Sequence, residues 1–244
     1  MLALKIVTKF SFAVLLSAMA LVANAAPVLQ LGIGEGVYDS DTRTSMATSN
    51  VFTLYAYARA TGKKAIDVNE THYIAVALTP MTGPEPQPIG SFEFGGTTYD
   101  GYDMVYGNPP LEDQLQYDRG DLRPHGIYDT LFLEVEFLFD ASRTTSNVNT
   151  RRSPDHIPEE DGSRLYFASF EVDISNLDPQ FGLHFDLYSQ RLRRGGDIDV
   201  DAYAPFTHDA AAQVASAPEP GSLALIASGL FGLVVKRRRL VNAR

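Results

Sequence analysis

The chain has no cysteine among its 244 residues, which removes disulfides, thiol nucleophiles and thiolate metal sites together. Tryptophan is absent too, so the large aromatic side chains are 14 phenylalanines and 12 tyrosines, residue types that favour strands. No central segment sustains a helical period, which argues against helical bundles and βαβ architectures. The GxSxG and HExxH signatures are missing, as is any phosphate-binding glycine loop, and this removes the usual sequence markers of hydrolases and nucleotide-binding enzymes. Positive charge is scarce away from the two ends. Taking seven basic residues and one acid of the ends from totals of 20 basic and 30 acidic leaves 13 against 29, a net charge of −16. Nucleic acid is an unsuitable partner for such a body, because binding it requires cations that neutralise phosphates.

What is present begins at the ends. Lys5 and Lys9 precede an apolar run from Phe10 to Val22, and Ala23-Asn24-Ala25 supplies a small-x-small cleavage pattern. This reads as a secretory signal peptide over residues 1–25, removed by signal peptidase. At the other end Pro218-Glu219-Pro220 is followed by the apolar run Leu223 to Val235 and then by Lys236-Arg237-Arg238-Arg239. A helix over 222–235 would be only about 20 Å long, short of the roughly 30 Å hydrocarbon core. It predicts a strained, short-lived membrane span. The cluster 236–239 would act as a stop-transfer element on the cytoplasmic side, leaving the acidic body outside the inner membrane.

This three-part tail, over 215–244, resembles the PEP-CTERM sorting signal of bacteria. The resemblance implies recognition by a membrane-embedded exosortase, removal of the tail, and delivery of the body to the cell surface or extracellular matrix. A second triplet, Pro84-Glu85-Pro86, lacks the apolar run and basic cluster and reads as a proline-rich loop.

Residues 26–214 are enough for one domain with a substantial core. Strand signals recur at Val28–Val37, Val51–Arg59, His72–Leu78, Ser91–Phe94 leading towards Thr98, Leu131–Phe139, Leu165–Ile174, Leu183–Tyr188 and Ile198–Tyr203. They predict an all-β, antiparallel sandwich of jelly-roll-like topology. Leu131, Leu133, Val135, Phe137 and Phe139 share a core face, with Glu134 and Glu136 opposite. The same alternation sends His184 and Asp186 away from Leu183, Phe185 and Leu187, predicting an acidic outer surface. Two long segments, Gly107–Gly126 and Ala141–Gly162, read as functional or mobile loops.

The blocks Leu122–Tyr128, His184–Tyr188 and Ala204–Ala210 resemble recurring stretches of exported proteins of the choice-of-anchor type, N group. That resemblance implies a β-rich exported domain and no catalytic residue.

Candidate chemistry is sparse. Asp197, Asp199 and Asp201 place carboxylates at alternate positions and could offer oxygen ligands to Ca²⁺, although Ala202 stands where an EF-hand loop needs glycine. Tyr55 and Tyr57, opposite the apolar face of Val51–Arg59, could stack on an extracellular polysaccharide. Five histidines lack ligand spacing; His125 reads as part of a turn and His208 as closing the last strand, with convergence in space left open. The expectation is therefore a non-enzymatic exported protein with a structural or adhesive role, or a Ca²⁺- or polysaccharide-binding module, without a resident cofactor beyond Ca²⁺.

Overall fold

A computed structural model describes residues 28–113, 116–160 and 162–214, which form fourteen strands and no helix. The expected signal helix, the C-terminal membrane helix, Pro218, Glu219, Pro220 and the basic cluster 236–239 lie outside the described residues. In chain order the strands are β1 (Leu29–Ile33), β2 (Val37–Asp39), β3 (Thr44–Met46), β4 (Val51–Arg59), β5 (His72–Thr79), β6 (Ser91–Phe94) and β7 (Thr97–Asp100). They continue with β8 (Val105–Gly107), β9 (Thr130–Phe137), β10 (Thr144–Thr145), β11 (Leu165–Asp173), β12 (Gly182–Leu192), β13 (Ile198–Tyr203) and β14 (Ala210–Gln213).

Two sheets result. One has the order β1-β4-β11-β6-β7, with β10 added beside β11. The other has the order β2-β3-β14-β12-β5-β9-β8, and β13 pairs with the second half of β12 beyond a register shift at Ser189/Gln190. Every pairing is antiparallel except that of β14 with β3. Alternation of side chains sends Leu29, Leu31, Ile33, Leu54, Phe92 and Val172 from the first sheet into a common core with Ile74, Val76, Leu78, Leu131, Leu183 and Phe185 from the second. Phe185 meets Phe52 and Phe94 across this core at ring-centre distances of 6.2 and 6.1 Å. Each aromatic ring buried here contributes on the order of 2–3 kcal/mol by removal from water.

The two long segments cover the outer faces of the sheets. Residues 116–128 lie over the second sheet, where Leu122 and Tyr128 pack with Ala75, Ala77, Phe132 and Tyr188 in a second core. Buried Asn108 ties the base of this loop by donating to the carbonyls of Pro109 at 3.0 Å and Leu122 at 2.8 Å. Residues 141–160 lie over the first sheet, where Val148 packs on Tyr57, Leu165 and Phe167. There the fully buried Gln30 donates to the Val148 carbonyl at 2.9 Å and accepts from the Thr150 amide at 3.1 Å.

These covers withdraw part of the expected acidic outer surface from water. Asp186 is buried, and Glu134 is half-buried under the loop, accepting bonds from the Leu111 amide, the Tyr188 hydroxyl and Gln190. Glu136, Glu171 and Asp201 stay exposed.

Candidate functional site

The strand β12 is central, flanked by β5 on one side and by β14 then β13 on the other. Its register places His184 opposite Ala77 and Ala211, and Asp186 opposite Ala75. Three alanines around two polar side chains leave a hollow in the sheet's outer face. Into it the loop 116–128 delivers His125, and the turn before β14 delivers Asp209. Gly126 holds φ at 92°, a conformation that suits glycine and lets the chain reverse directly after His125. Phe206 stacks on the His125 ring at 4.0 Å between centres and 12° between planes.

The four side chains each present one atom within 4.8 Å of the other three. His125 Nε2 lies 3.1 Å from His184 Nε2 and 3.5 Å from Asp186 Oδ1. His184 Nε2 lies 3.5 Å from Asp186 Oδ2 and 3.5 Å from Asp209 Oδ2. Side-chain exposure is 11% for His125, 4% for His184, 3% for Asp186 and 2% for Asp209, so all four are withdrawn from bulk water. A cleft of about 600 Å³ reaches the group, bordered by Thr44, Gly126, Ile127 and Phe206 among others.

Partners beyond the four orient them. His125 Nδ1 sits 3.1 Å from the Arg123 carbonyl, which can only accept, so Nδ1 carries a proton and Nε2 is the ring nitrogen turned inward. The Tyr128 hydroxyl donates to Asp186 Oδ2 at 2.9 Å. Burial works against charge on His184, yet Asp186 and Asp209 outweigh it and raise its pKa. For Asp186 burial is in turn outweighed by His184 and His125, and its pKa is lowered. Asp209 is pushed up to about 7 by burial, with Asp186 adding to the effect and His184 opposing it. Its Oδ1 is buried without a hydrogen-bond partner.

The residues singled out from sequence stand elsewhere. Asp199 is held by Arg193 and Arg191, and Asp201 is paired with Arg191 at 2.8 Å. Asp197 groups with Glu112 and Asp118, within 4.8 Å of one another, beside an open cleft of about 690 Å³. Burial and the nearby Asp118 and Asp199 raise the Asp197 pKa. Tyr57 is fully buried beneath the second loop and donates to the His156 carbonyl at 3.2 Å, so it presents no ring to a sugar; Tyr55 beside it is half-buried. His208, read as closing the last strand, is buried next to Asp209 with its pKa pushed down to about 4 by burial and by Arg151.

Sequence reasoning missed His125, His184, Asp186 and Asp209 as a set because each alternation was read against solvent. A signal was available in His72–Leu78: Tyr73, Ala75 and Ala77 are apolar opposite Ile74, Val76 and Leu78, the mark of a strand covered on both faces. The stretches 122–128, 184–188 and 204–210, noted separately in the sequence, are the ones that supply the cluster and the rings around it.

By fold and site the molecule is a two-sheet β protein with a polar cluster under one lid. Residues 216–239 match the family described as the PEP-CTERM protein-sorting motif. The chain thus carries the sorting signal of an exosortase substrate, consistent with an exported, cell-surface protein. Neither the curated proteins nor the solved structures contain a match to the chain.

Proposed function

We propose that the chain is a cell-surface or extracellular-matrix protein with a non-enzymatic structural or adhesive role. In this reading the signal peptide opens export, the tail rests briefly in the inner membrane, and exosortase removes it to free or attach the β body. The supporting observation is the sorting motif at 216–239, which begins after only two residues beyond the end of β14 at Gln213, so that a short connection joins an all-β body to a disposable address. The test is mass spectrometry of both termini, with cell fractionation, for the wild-type protein and for a variant with Pro218, Glu219 and Pro220 changed to alanine. The wild type is expected outside the inner membrane, beginning at Ala26 and lacking the basic cluster; the variant is expected to keep its tail in the membrane fraction. Intact wild-type chain in the cytosol, or normal trimming of the variant, would overturn the proposal.

A second reading, a Ca²⁺-binding module, draws on Glu112, Asp118 and Asp197. Three carboxylates beside an open cleft suit a hard cation with oxygen ligands. Thermal melting with added Ca²⁺ decides it: a midpoint that rises with Ca²⁺ and is flattened by Asp197→Asn supports this reading, and a Ca²⁺-independent midpoint refutes it.

A further inference from the structure

We propose that His125, His184, Asp186 and Asp209 form a four-ligand site for a divalent transition metal, with Zn²⁺ the ion that fits it best. The argument rests on distances first. Four ligands about 2.0–2.1 Å from a tetrahedral Zn²⁺ lie about 3.3–3.4 Å from one another. The 3.1 Å between the two imidazole nitrogens, the 3.5 Å from His125 Nε2 to Asp186 Oδ1 and the 3.5 Å from His184 Nε2 to Asp186 Oδ2 and to Asp209 Oδ2 fall on either side of that value, and the ligand atoms of all four residues lie within 4.8 Å of one another. The two Nε2 atoms face each other at 3.1 Å, a separation that an N–H···N bond satisfies in the empty site and a shared cation in the filled one. The donor set then selects the ion. Two imidazoles with two carboxylates suit Zn²⁺ and its first-row neighbours, whereas Ca²⁺ and Mg²⁺ take oxygen donors.

Orientation supplies an independent reason. His125 Nδ1–H donates a hydrogen bond to the Arg123 carbonyl and the Tyr128 hydroxyl donates to Asp186, the outer partners that fix ligands at metal centres. Asp209 Oδ1 is buried without a hydrogen-bond partner, while its carboxylate also feels the Thr44 hydroxyl. A cation gives the two buried carboxylates a compensation that the protein alone leaves incomplete.

The location says what the metal would do. Its ligands come from β12, from the loop over the outer sheet face and from the turn before β14, three segments distant in sequence. The ion would therefore clamp the loop 116–128 to the sheet and fasten the last strand to both. With four protein ligands the tetrahedral sphere is closed, as in sites that stabilise a fold, whereas catalytic zinc keeps one position for water.

The experiment uses the full-length chain, purified in detergent and stripped with a chelator. Wild type is expected to take up one Zn²⁺ per chain by elemental analysis. Its melting midpoint should rise by about 5–10 °C when free Zn²⁺ is a hundredfold above Kd. Co²⁺ in place of Zn²⁺ should give the intense visible bands of a tetrahedral site. His125→Gln, on the loop, and Asp209→Asn should each weaken binding by roughly 100-fold and lose those bands, and Tyr128→Phe should weaken it by about 10-fold. His125→Gln leaves every strand intact, so its far-ultraviolet circular dichroism should match wild type and separate lost binding from lost folding. Three results overturn the proposal: wild type that binds neither ion, uptake that persists in both ligand variants, or Co²⁺ spectra without tetrahedral bands.

Discussion

Replacing Asp121 with asparagine should stabilise the protein at neutral pH and do nothing at pH 4. Asp121 is buried at the edge of the first loop, where its Oδ2 accepts the Asp118 amide at 2.8 Å and its Oδ1 has no hydrogen-bond partner. Burial, reinforced by Asp118, Glu112 and Asp197, pushes its pKa up to about 6 from 3.8. Below pH 3.8 the carboxyl is protonated in both the folded and unfolded chain and costs nothing. Between 3.8 and about 6 the unfolded chain has released its proton while the folded protein keeps it, so stability falls as pH rises. Above that window the folded protein carries a poorly solvated carboxylate. A difference of about two pKa steps is worth up to about 3 kcal/mol, and screening by water at the cleft brings this to roughly 1–3 kcal/mol. Asparagine keeps the shape and an acceptor for the Asp118 amide but has no charge. At pH 7.5, with chelator present, Asp121→Asn should melt about 2–10 °C above wild type, and at pH 4 the two midpoints should coincide within a degree or two. A variant that melts lower at pH 7.5, or a gap that does not change with pH, would refute the reasoning.

Two other outcomes follow from the core. Phe185→Ala removes the ring that meets Phe52 and Phe94 between the sheets, and urea unfolding should show a loss of about 3–5 kcal/mol. His72 is buried with its ring 4.9 Å from that of Phe139, and burial lowers its pKa. Its contribution is thus fully present above the unfolded value of about 6.5 and is lost as pH falls below it, so His72→Leu should flatten the decline in melting temperature between pH 6.5 and pH 5.

Much of the framework was legible because strand alternation is a local property. The expectation for Val51–Arg59 coincides with β4 and that for Ile198–Tyr203 with β13, and each of the eight strand signals overlaps a strand, but Val28–Val37 runs through β1 and a turn into β2, and the signal from Ser91 towards Thr98 is the hairpin of β6 and β7. What escaped was short or built on small residues. Thr44–Met46 and Ala210–Gln213 have little apolar contrast and exist as strands because they pair with each other in parallel, and β14 also with β12, contacts that no local pattern announces. The inner faces were read correctly from Leu183, Phe185 and Leu187. The outer faces were not, because alternation says that His184 and Asp186 point away from one core without saying whether a loop lies above them. The long loops are where that information was stored. Their apolar residues, Leu122 and Val148, are isolated among polar neighbours and look incidental until the sheets supply their partners. The cluster at His125, His184, Asp186 and Asp209 depends on three such long-range approaches at once.

The position of β14 has a mechanical consequence. It is the last strand before the sorting tail and is bonded on one edge to β12 and on the other to β3. Tension applied through the tail along this strand would load both rows of backbone bonds in shear, so that they resist together instead of parting one at a time as in a peeled edge. A body tethered at this point is gripped from two sides, and any ion held by Asp209 would add a rivet at the strand's far end.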